Sequence, residues 1–210
     1  MTAVSSGAEP VEGNRLEPPL LLARAAGFAA AIHAEQRRKL SSAPYLGHLF
    51  RVAGLVLEYG GSLQEAAAAL LHDAVEDQGG LGTWEQIRQQ FGEEIAGWVL
   101  ALSDRTARPA PPWRERKERF IASLPHTPLP VRRIALCDKI DNLQSLLAEY
   151  RSAGEAVWQE FRGGKEGSVW YFQEILRVLE STAGDAGFQA GLAVYRQLVA
   201  ELNRLVLTSP

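Results

Sequence analysis

Apolar residues at helical spacing recur along almost the whole of this 210-residue chain, and this pattern constrains the fold more than any other feature. Leu22, Ala25 and Ala29, for example, are three and four residues apart and lie on one face of a helix. Alternating, β-branched runs of strand length do not occur in the sequence. The sequence therefore predicts an all-α fold, a single-domain helical bundle with short loops.

Proline, glycine and capping residues divide this pattern into nine predicted helices. Ser62 with Glu65, and Thr83 with Gln86, have the three-residue spacing of a capping box and mark the starts of the third and fourth helices. The predicted helices cover residues 18–39, 47–59, 63–76, 84–91, 93–103, 113–123, 130–150, 165–179 and 186–207.

Composition and charge exclude several classes of protein. The 22 basic and 25 acidic residues give a formal net charge of −3, which argues against a surface built for nucleic acid or anionic lipid. A single cysteine, Cys137, excludes an intrachain disulfide. Residues 1–14 lack the features of a signal peptide, and the apolar stretch 20–34 carries Arg24 and is too short to span a membrane. We therefore expect a cytoplasmic protein without nucleic-acid or membrane partners.

The end of the third predicted helix carries an unusual group of ionisable residues: His72, Asp73, Glu76 and Asp77. Acidic groups at a helix C-terminus oppose the helix dipole and cost about 0.3–1 kcal/mol each, so we expect a positive charge nearby. The four-residue spacing places His72 with Glu76, and Asp73 with Asp77, on one side of the helix. Histidine and carboxylate together bind divalent zinc, manganese or iron. The alternative is a solvated helix end with a partly buried histidine.

Two residues elsewhere in the chain fit the same chemistry. His48 begins the second predicted helix, and Asp138 lies within the apolar stretch 134–140 of the long helix. A carboxylate is rarely buried unless it is paired or bound to a metal. Asn142 follows Asp138 by four residues, so the two form a polar row beside the apolar row of that helix.

The order His, His-Asp, Asp on successive helices resembles the HD superfamily of metal-dependent phosphohydrolases. Within it, the chain is similar to the hydrolase domain of the RelA/SpoT family and to the stand-alone small alarmone hydrolases. The similar motifs occur in the family's order between about residues 20 and 147. They are residues 28–30, 33, 36–39, 44–48, 69–77, 91–95, 103–104, 116–117 and 138–143.

The resemblance also suggests how the chain is organised. Residues 1–16 are rich in Ser, Gly, Glu and Pro and are predicted to form a disordered tail. The resemblance implies an HD phosphohydrolase domain over residues 17–182. A C-terminal helix, within residues 183–210, is expected to pack on that domain.

The resemblance further implies a role for each candidate site residue. Glu76 and Asp77 would be the catalytic pair that orients or deprotonates the attacking water. One divalent metal, with Mn²⁺ as the expected ion, would be held by His48, His72, Asp73 and Asp138. The substrate would be bound by Arg38, Lys39, Tyr45, Asn142, Arg116 and Lys117.

Several of these residues also have a purely structural interpretation. The basic run 37–39 suits the C-terminus of a helix, and Tyr45 could be an ordinary loop anchor. The charged run 113–119 could form a solvated helix face, supported by the pair Glu115 and Arg119. His33 is expected to be a buried histidine whose hydrogen bonds are satisfied.

The implied function is hydrolysis of the 3′-pyrophosphate of a small guanosine nucleotide, (p)ppGpp, by a metal-activated water. Departures from the family's pattern, such as Leu49 in place of a proline and the glycine-rich turn 78–83, fall where the identity of the substrate is decided.

Two alternatives to this function therefore stay open. One is an HD phosphohydrolase acting on another nucleotide or phosphoester, for example the 2′-phosphate of NADPH. The other is a nucleotide-sensing module without catalysis. A homo-oligomer is compatible with the aromatic C-terminal region.

Overall fold

The computed structural model describes residues 17–39, 41–105 and 109–208. Within these ranges the chain forms ten α-helices and two short 3₁₀-helices, and strand-like pairing is limited to one isolated bridge between Arg37 and Pro44. The all-α prediction is therefore confirmed. The disordered tail predicted for residues 1–16 lies outside the described residues.

The helices follow one another with short connections. They are α1 (Pro18–Ile32), α2 (Leu46–Glu58), α3 (Leu63–Leu71), α4 (Ala74–Asp77), α5 (Leu81–Phe91), α6 (Glu93–Leu102), α7 (Trp113–Ser123), α8 (Leu129–Ala153), α9 (Gly164–Glu180) and α10 (Ala186–Thr208). The 3₁₀-helices span Leu124–His126 and Gly154–Glu160. No helix in these ranges is both long enough and apolar enough to cross a membrane.

The first helix ends seven residues earlier than the sequence predicts. After Ile32 the backbone turns back on itself, because the Arg38 amide donates to the Ala43 carbonyl and the Tyr45 amide donates to the Gln36 carbonyl. The basic run 37–39 consequently lies in a loop. Its interpretation as a helix end that balances the helix dipole is wrong.

The third predicted helix is broken at His72 and Asp73. Helix α3 ends at Leu71 and the single turn α4 begins at Ala74, with Asp73 at φ −95° and ψ −2° between them. The prediction of one continuous helix over residues 63–76 is therefore wrong. At this break the Nε2 atom of His72 lies 3.0 Å from the Oδ2 atom of Asp73.

Only one of the two predicted capping boxes forms. The Glu65 amide donates to the Ser62 hydroxyl, and the Ser62 amide donates to the Glu65 carboxylate, at the start of α3. Helix α5 instead begins at Leu81, and the Thr83 hydroxyl donates to the Gln78 carbonyl at 2.6 Å. The Thr83–Gln86 box is therefore wrong, because the turn that precedes α5 already uses the Thr83 side chain.

Helices α3 and α8 form the centre of the bundle. Every residue from Glu65 to Leu71 is buried, and the small side chains of residues 66–69 allow α1 and α2 to pack closely on α3. Helix α8 contacts α2, α6, α9 and α10, so buried side chains occur all round it. Polar side chains on these two central helices therefore lie in or beside the core.

The start of α10 is attached to the core by Arg133. This side chain is 2% exposed and donates to Glu65, to the Tyr59 carbonyl and, through two nitrogens, to Asp185. Asp185 also accepts the Phe188 amide at 2.8 Å, which satisfies one free donor at the start of the helix. One arginine therefore joins α8, the end of α2, α3 and α10.

Arg133→Ala is expected to lower the free energy of unfolding by about 3 kcal/mol, because it leaves the carboxylate of Glu65 buried without its charged partner. Urea denaturation followed by circular dichroism measures this loss. Arg177→Ala is the matched control, since Arg177 pairs with Glu174 at the surface and its removal should cost less than about 1 kcal/mol. Equal losses in both variants would contradict the role assigned to Arg133.

Candidate active site

Four of the predicted residues come together where α2, the α3–α4 break and α8 meet. His48, His72 and Asp138 each offer a ligand atom, and these atoms all lie within 4.8 Å of one another. The Oδ2 atom of Asp73 lies 3.0 Å from His72 Nε2 and 3.7 Å from His48 Nε2. The four predicted metal ligands thus form one compact group, which we call the ligand cluster.

The ligand cluster fits a divalent cation. The Nε2 atoms of His48 and His72 are buried and have no hydrogen-bond partner within the described part of the chain. Burial alone would lower the pKa of His48, but the nearby carboxylates of Asp138, Asp141 and Asp73 raise it to about 9. The carboxylates therefore attract positive charge to this point. Two imidazole nitrogens with two carboxylates are a common donor set for divalent transition metals.

Both histidine rings are oriented from behind. His48 Nδ1 lies 2.6 Å from Asp141 Oδ2, and His72 Nδ1 lies 2.7 Å from the Ala69 carbonyl. Asp141 is itself buried and accepts a hydrogen bond from Arg51, while Arg38 lies 3.5 Å away. These contacts direct the Nε2 atoms of both rings towards the ligand cluster.

Asp141→Asn is expected to weaken Mn²⁺ binding by about 10- to 100-fold, because it removes the charge that orients and polarises the His48 ring. Calorimetric titration of metal-stripped protein with Mn²⁺ measures the change. Asp185→Asn is the control, since Asp185 lies just before α10 and pairs with Arg133 rather than with a member of the ligand cluster. Binding by the Asp141 variant within twofold of the wild type would contradict this role.

A cavity of about 350 Å³ opens beside the ligand cluster, within the size range of small-molecule sites. Ten of the twelve predicted site residues line it, whereas His48 lies behind its wall and Arg116 does not reach it. The ten are Arg38, Lys39, Tyr45, His72, Asp73, Glu76, Asp77, Lys117, Asp138 and Asn142.

The two predicted catalytic carboxylates have different surroundings. Burial, together with the charges of Asp104 and Asp73, raises the pKa of Glu76 to about 7, although Lys117 opposes the shift. The pKa of Asp77 is also raised, chiefly by burial, and this carboxylate accepts a hydrogen bond from Gln36 at 2.8 Å. Glu76 is therefore the group whose proton affinity suits proton transfer near neutral pH.

The two residues of the predicted basic pair differ in position: Lys117 lines the cavity, whereas Arg116 does not reach it. Arg116 is 6% exposed and donates to Asp104, and its NH1 atom lies 3.7 Å from Glu76 Oε1. Lys117 also contacts Asp104, at 2.5 Å, and lines the cavity. The solvated-face interpretation applies to their neighbours, since Glu115 and Arg119 form an exposed pair.

The residues predicted to bind substrate are linked to the ligand cluster. Asn142 donates to Asp138 and accepts a hydrogen bond from Arg38 at 3.1 Å. The Tyr45 hydroxyl donates to Asp73, and burial followed by the charge of Asp73 raises the pKa of this phenol well above its ordinary value. Tyr45 is therefore more than a loop anchor, because it holds a member of the ligand cluster.

The structure adds residues that sequence reasoning did not single out. Gln36 contacts Asp77, Asp104 joins the two basic residues, and Lys139 donates to Asp138. All three lie within or beside motifs of the resemblance, so their place in the motifs was the available signal. His33 is buried as expected, but within the described ranges only its Nδ1 atom has hydrogen-bond partners, Gln36 and Gln78.

Comparison with known proteins places the chain in a family. The family model described as HD domain matches residues 25–168. The chain belongs to the HD domain family. This confirms the resemblance inferred from the sequence. An HD domain implies a divalent metal, and the ligand cluster contains a His-His-Asp group, formed by His48, His72 and Asp138, that could hold one.

Two relatives of this HD domain carry the same kind of name. It is 36% identical over 129 residues to the guanosine-3′,5′-bis(diphosphate) 3′-pyrophosphohydrolase MESH1 of Xenopus tropicalis, covering 60% of this chain and 69% of the relative. It is 48% identical over 86 residues, 41% of this chain, to a probable guanosine-3′,5′-bis(diphosphate) 3′-pyrophosphohydrolase of Synechocystis sp.. The match spans only 11% of that longer protein.

A solved structure supports the same assignment of fold. The structure described as "A metazoan ortholog of SpoT hydrolyzes ppGpp and plays a role in starvation responses" superposes with a TM-score of 0.68 at 25% sequence identity. The superposition covers 87% of this chain and 97% of that one. The HD fold therefore extends over nearly all of the described residues.

Proposed function

We propose that this HD domain is a metal-dependent phosphohydrolase that removes the 3′-pyrophosphate of guanosine nucleotides such as ppGpp. One observation carries the proposal. Two buried histidine nitrogens without hydrogen-bond partners in the described ranges meet two carboxylates at the wall of a cavity that also contains Glu76 and Lys117. The names of the similar proteins support guanosine 3′-pyrophosphate as the group that is cleaved.

The ligand cluster would hold the metal through His48, His72, Asp73 and Asp138. We propose Mn²⁺, because its borderline-hard character suits two nitrogens and two carboxylates. When bound, such an ion would polarise the phosphoryl group under attack and acidify the attacking water. Tyr45 would hold Asp73 in position, and Asn142 would do the same for Asp138.

The side chains around the ligand cluster would move the proton and neutralise charge. Glu76, ionised above about pH 7, would accept a proton from the water that attacks the 3′-phosphorus. The bond between this phosphorus and the ribose 3′-oxygen would break, and a proton would end on that oxygen, with Asp77 assisting the leaving group. Arg38, Lys39 and Lys117 would neutralise the phosphates, and Arg116 would act through Asp104.

We also propose that the partner of this protein is a small-molecule nucleotide and that the protein binds neither nucleic acid nor a membrane. The formal net charge of −3 supports this proposal, because polyanionic partners favour a basic surface. We propose the cytoplasm as the location of the protein. We further propose that residues 17–182 form the catalytic domain and that the C-terminal helix, within residues 183–210, packs on it through the contact of Arg133 with Asp185.

A substrate panel tests the proposed function. Purified full-length protein with Mn²⁺ is given ppGpp, pppGpp, NADPH and common nucleotides, and the products are separated by anion-exchange chromatography. We expect ppGpp to yield GDP and pyrophosphate. Turnover of NADPH or another compound alone would keep the phosphohydrolase class and overturn the substrate, whereas nucleotide binding without any product would favour a sensing module.

A further inference from the structure

The cavity has a wall that the proposed chemistry does not use. Trp113, Phe161 and Phe172, together called the aromatic wall, line the same cavity as the ligand cluster. Trp113 and Phe161 are only partly buried, and both residues line the cavity. Exposed ring surface is unfavourable in water, and a ligand that covers it gains affinity.

The ring of Trp113 is held rigidly against the start of α9. A Cβ atom at Gly163 would lie 2.6 Å from the ring, and one at Gly167 would lie 3.1 Å from it. The two glycines therefore allow the indole to pack directly on the backbone. The edge of Tyr171 also supports the indole, with ring centroids 6.3 Å apart. A ring held in this way loses little conformational entropy when a ligand binds.

Phe161 is supported by Trp158, which lies in the second 3₁₀-helix. Its ring lies 6.1 Å from that of Trp158, which is 6% exposed, and its amide donates to the Trp158 carbonyl at 3.1 Å. The Gly164 amide in turn donates to the Phe161 carbonyl. Two aromatic rings from distant parts of the chain are thus fixed in one cavity.

A cation lies one helical turn from the aromatic wall. Lys117 follows Trp113 by four residues on α7, which places their Cβ atoms about 6 Å apart, and both residues line the cavity. An aromatic surface beside a cation is the combination that binds the base and the phosphate of a nucleotide. The metal ligands and the catalytic carboxylates need no such surface.

We propose that Trp113 and Phe161 form the base-binding subsite, on which the nucleobase of the substrate stacks. This inference rests on the proposed function in one respect, namely that the ligand is a nucleotide. It assigns Trp113 and Phe161 to substrate selection rather than to the core of the last helices.

Calorimetric titration of the full-length protein with two separate probes tests the base subsite. GDP carries a base and inorganic pyrophosphate does not. Trp113→Ala is expected to weaken GDP binding about tenfold or more, the size of a lost stacking contact, and to leave pyrophosphate binding within about twofold. Phe161→Leu, which keeps apolar volume without a ring, should weaken GDP binding about threefold or more. Trp98→Ala, at a partly buried tryptophan outside the cavity, should change neither.

Equal weakening of both probes, or unchanged GDP binding, would overturn the base subsite. If Trp113→Ala does not fold, Trp113→Phe together with Phe161→Leu provides the same comparison with less loss of volume. The two proposals fail separately. GDP binding that depends on Trp113 without ppGpp hydrolysis refutes only the proposed function, whereas ppGpp hydrolysis with GDP binding indifferent to both rings refutes only the base subsite.

Discussion

His72→Ala is expected to lose bound metal and to reduce ppGpp hydrolysis by at least about 10³-fold. His72 is 3% exposed and supplies one of the two buried nitrogens of the ligand cluster. Without it, His48 is the one imidazole that is left in the cluster. The loss corresponds to several kcal/mol of transition-state stabilisation that a divalent ion supplies. Elemental analysis of the purified protein measures the metal, and anion-exchange chromatography measures the turnover.

His126→Ala is the matched control for this prediction. His126 is exposed at the end of the first 3₁₀-helix and does not line the cavity. Its substitution should leave both metal content and turnover unchanged. The ligand cluster would have to be abandoned as the metal site if the His72 variant, folded by circular dichroism, kept a full equivalent of metal.

Glu76→Gln is expected to lower kcat by about 10²- to 10⁴-fold without changing the metal content, because glutamine cannot accept a proton from water. The pKa of Glu76 is about 7, so the wild-type enzyme should lose activity as the pH falls through 7 and the carboxylate becomes protonated. The pH profile of kcat measures this acidic limb. If kcat of the glutamine variant falls at the same pH as kcat of the wild type, another group accepts the proton.

The same substitution should stabilise the fold at high pH. The folded-state pKa of Glu76, about 7, lies above its ordinary value of 4.5, so the folded protein binds more protons than the unfolded chain between these values. Stability contributed by this group is therefore lost as the pH rises from about 4.5 to 7. Glu76→Gln avoids that loss and should be more stable above pH 7, by on the order of 1–3 kcal/mol.

Urea denaturation of metal-stripped protein at pH 8 and at pH 4.5 distinguishes the ionisation of Glu76 from a change in stability that does not depend on pH. The difference between Glu76→Gln and the wild type should be present at pH 8 and small at pH 4.5. Glu166→Gln, at an exposed position in the first turn of α9, should show no such dependence. Equal stability of the Glu76 variant and the wild type at pH 8 would contradict the raised pKa of Glu76 in the folded protein.

The helical class and the identity of the ligand cluster were predictable because both depend on local pattern. Apolar spacing and capping residues report helices directly, and Asp138 stands out as a carboxylate in an apolar stretch. The break between α3 and α4 was not predictable in the same way. Residues 69–76 favour helix locally, yet the helix is interrupted at His72 and Asp73.

The surroundings of the site depend on contacts between distant residues. Arg116 looked like a phosphate ligand, yet it is buried against Asp104, which belongs to the loop after α6. Trp113 packs against Gly163, fifty residues further along the chain, through contacts that no local periodicity reports. Sequence reasoning therefore identified the metal chemistry better than the substrate side.

The most direct test of metal-dependent attack at the 3′-phosphorus is product analysis of ppGpp turnover in water labelled with ¹⁸O, before and after metal removal. We expect GDP and pyrophosphate, with one ¹⁸O atom in the pyrophosphate, and we expect the reaction to stop after chelation and to return with Mn²⁺. Unchanged turnover by the metal-stripped protein would contradict the role of the metal. Release of inorganic phosphate from the outer phosphorus, or label in GDP, would contradict attack at the 3′-phosphorus.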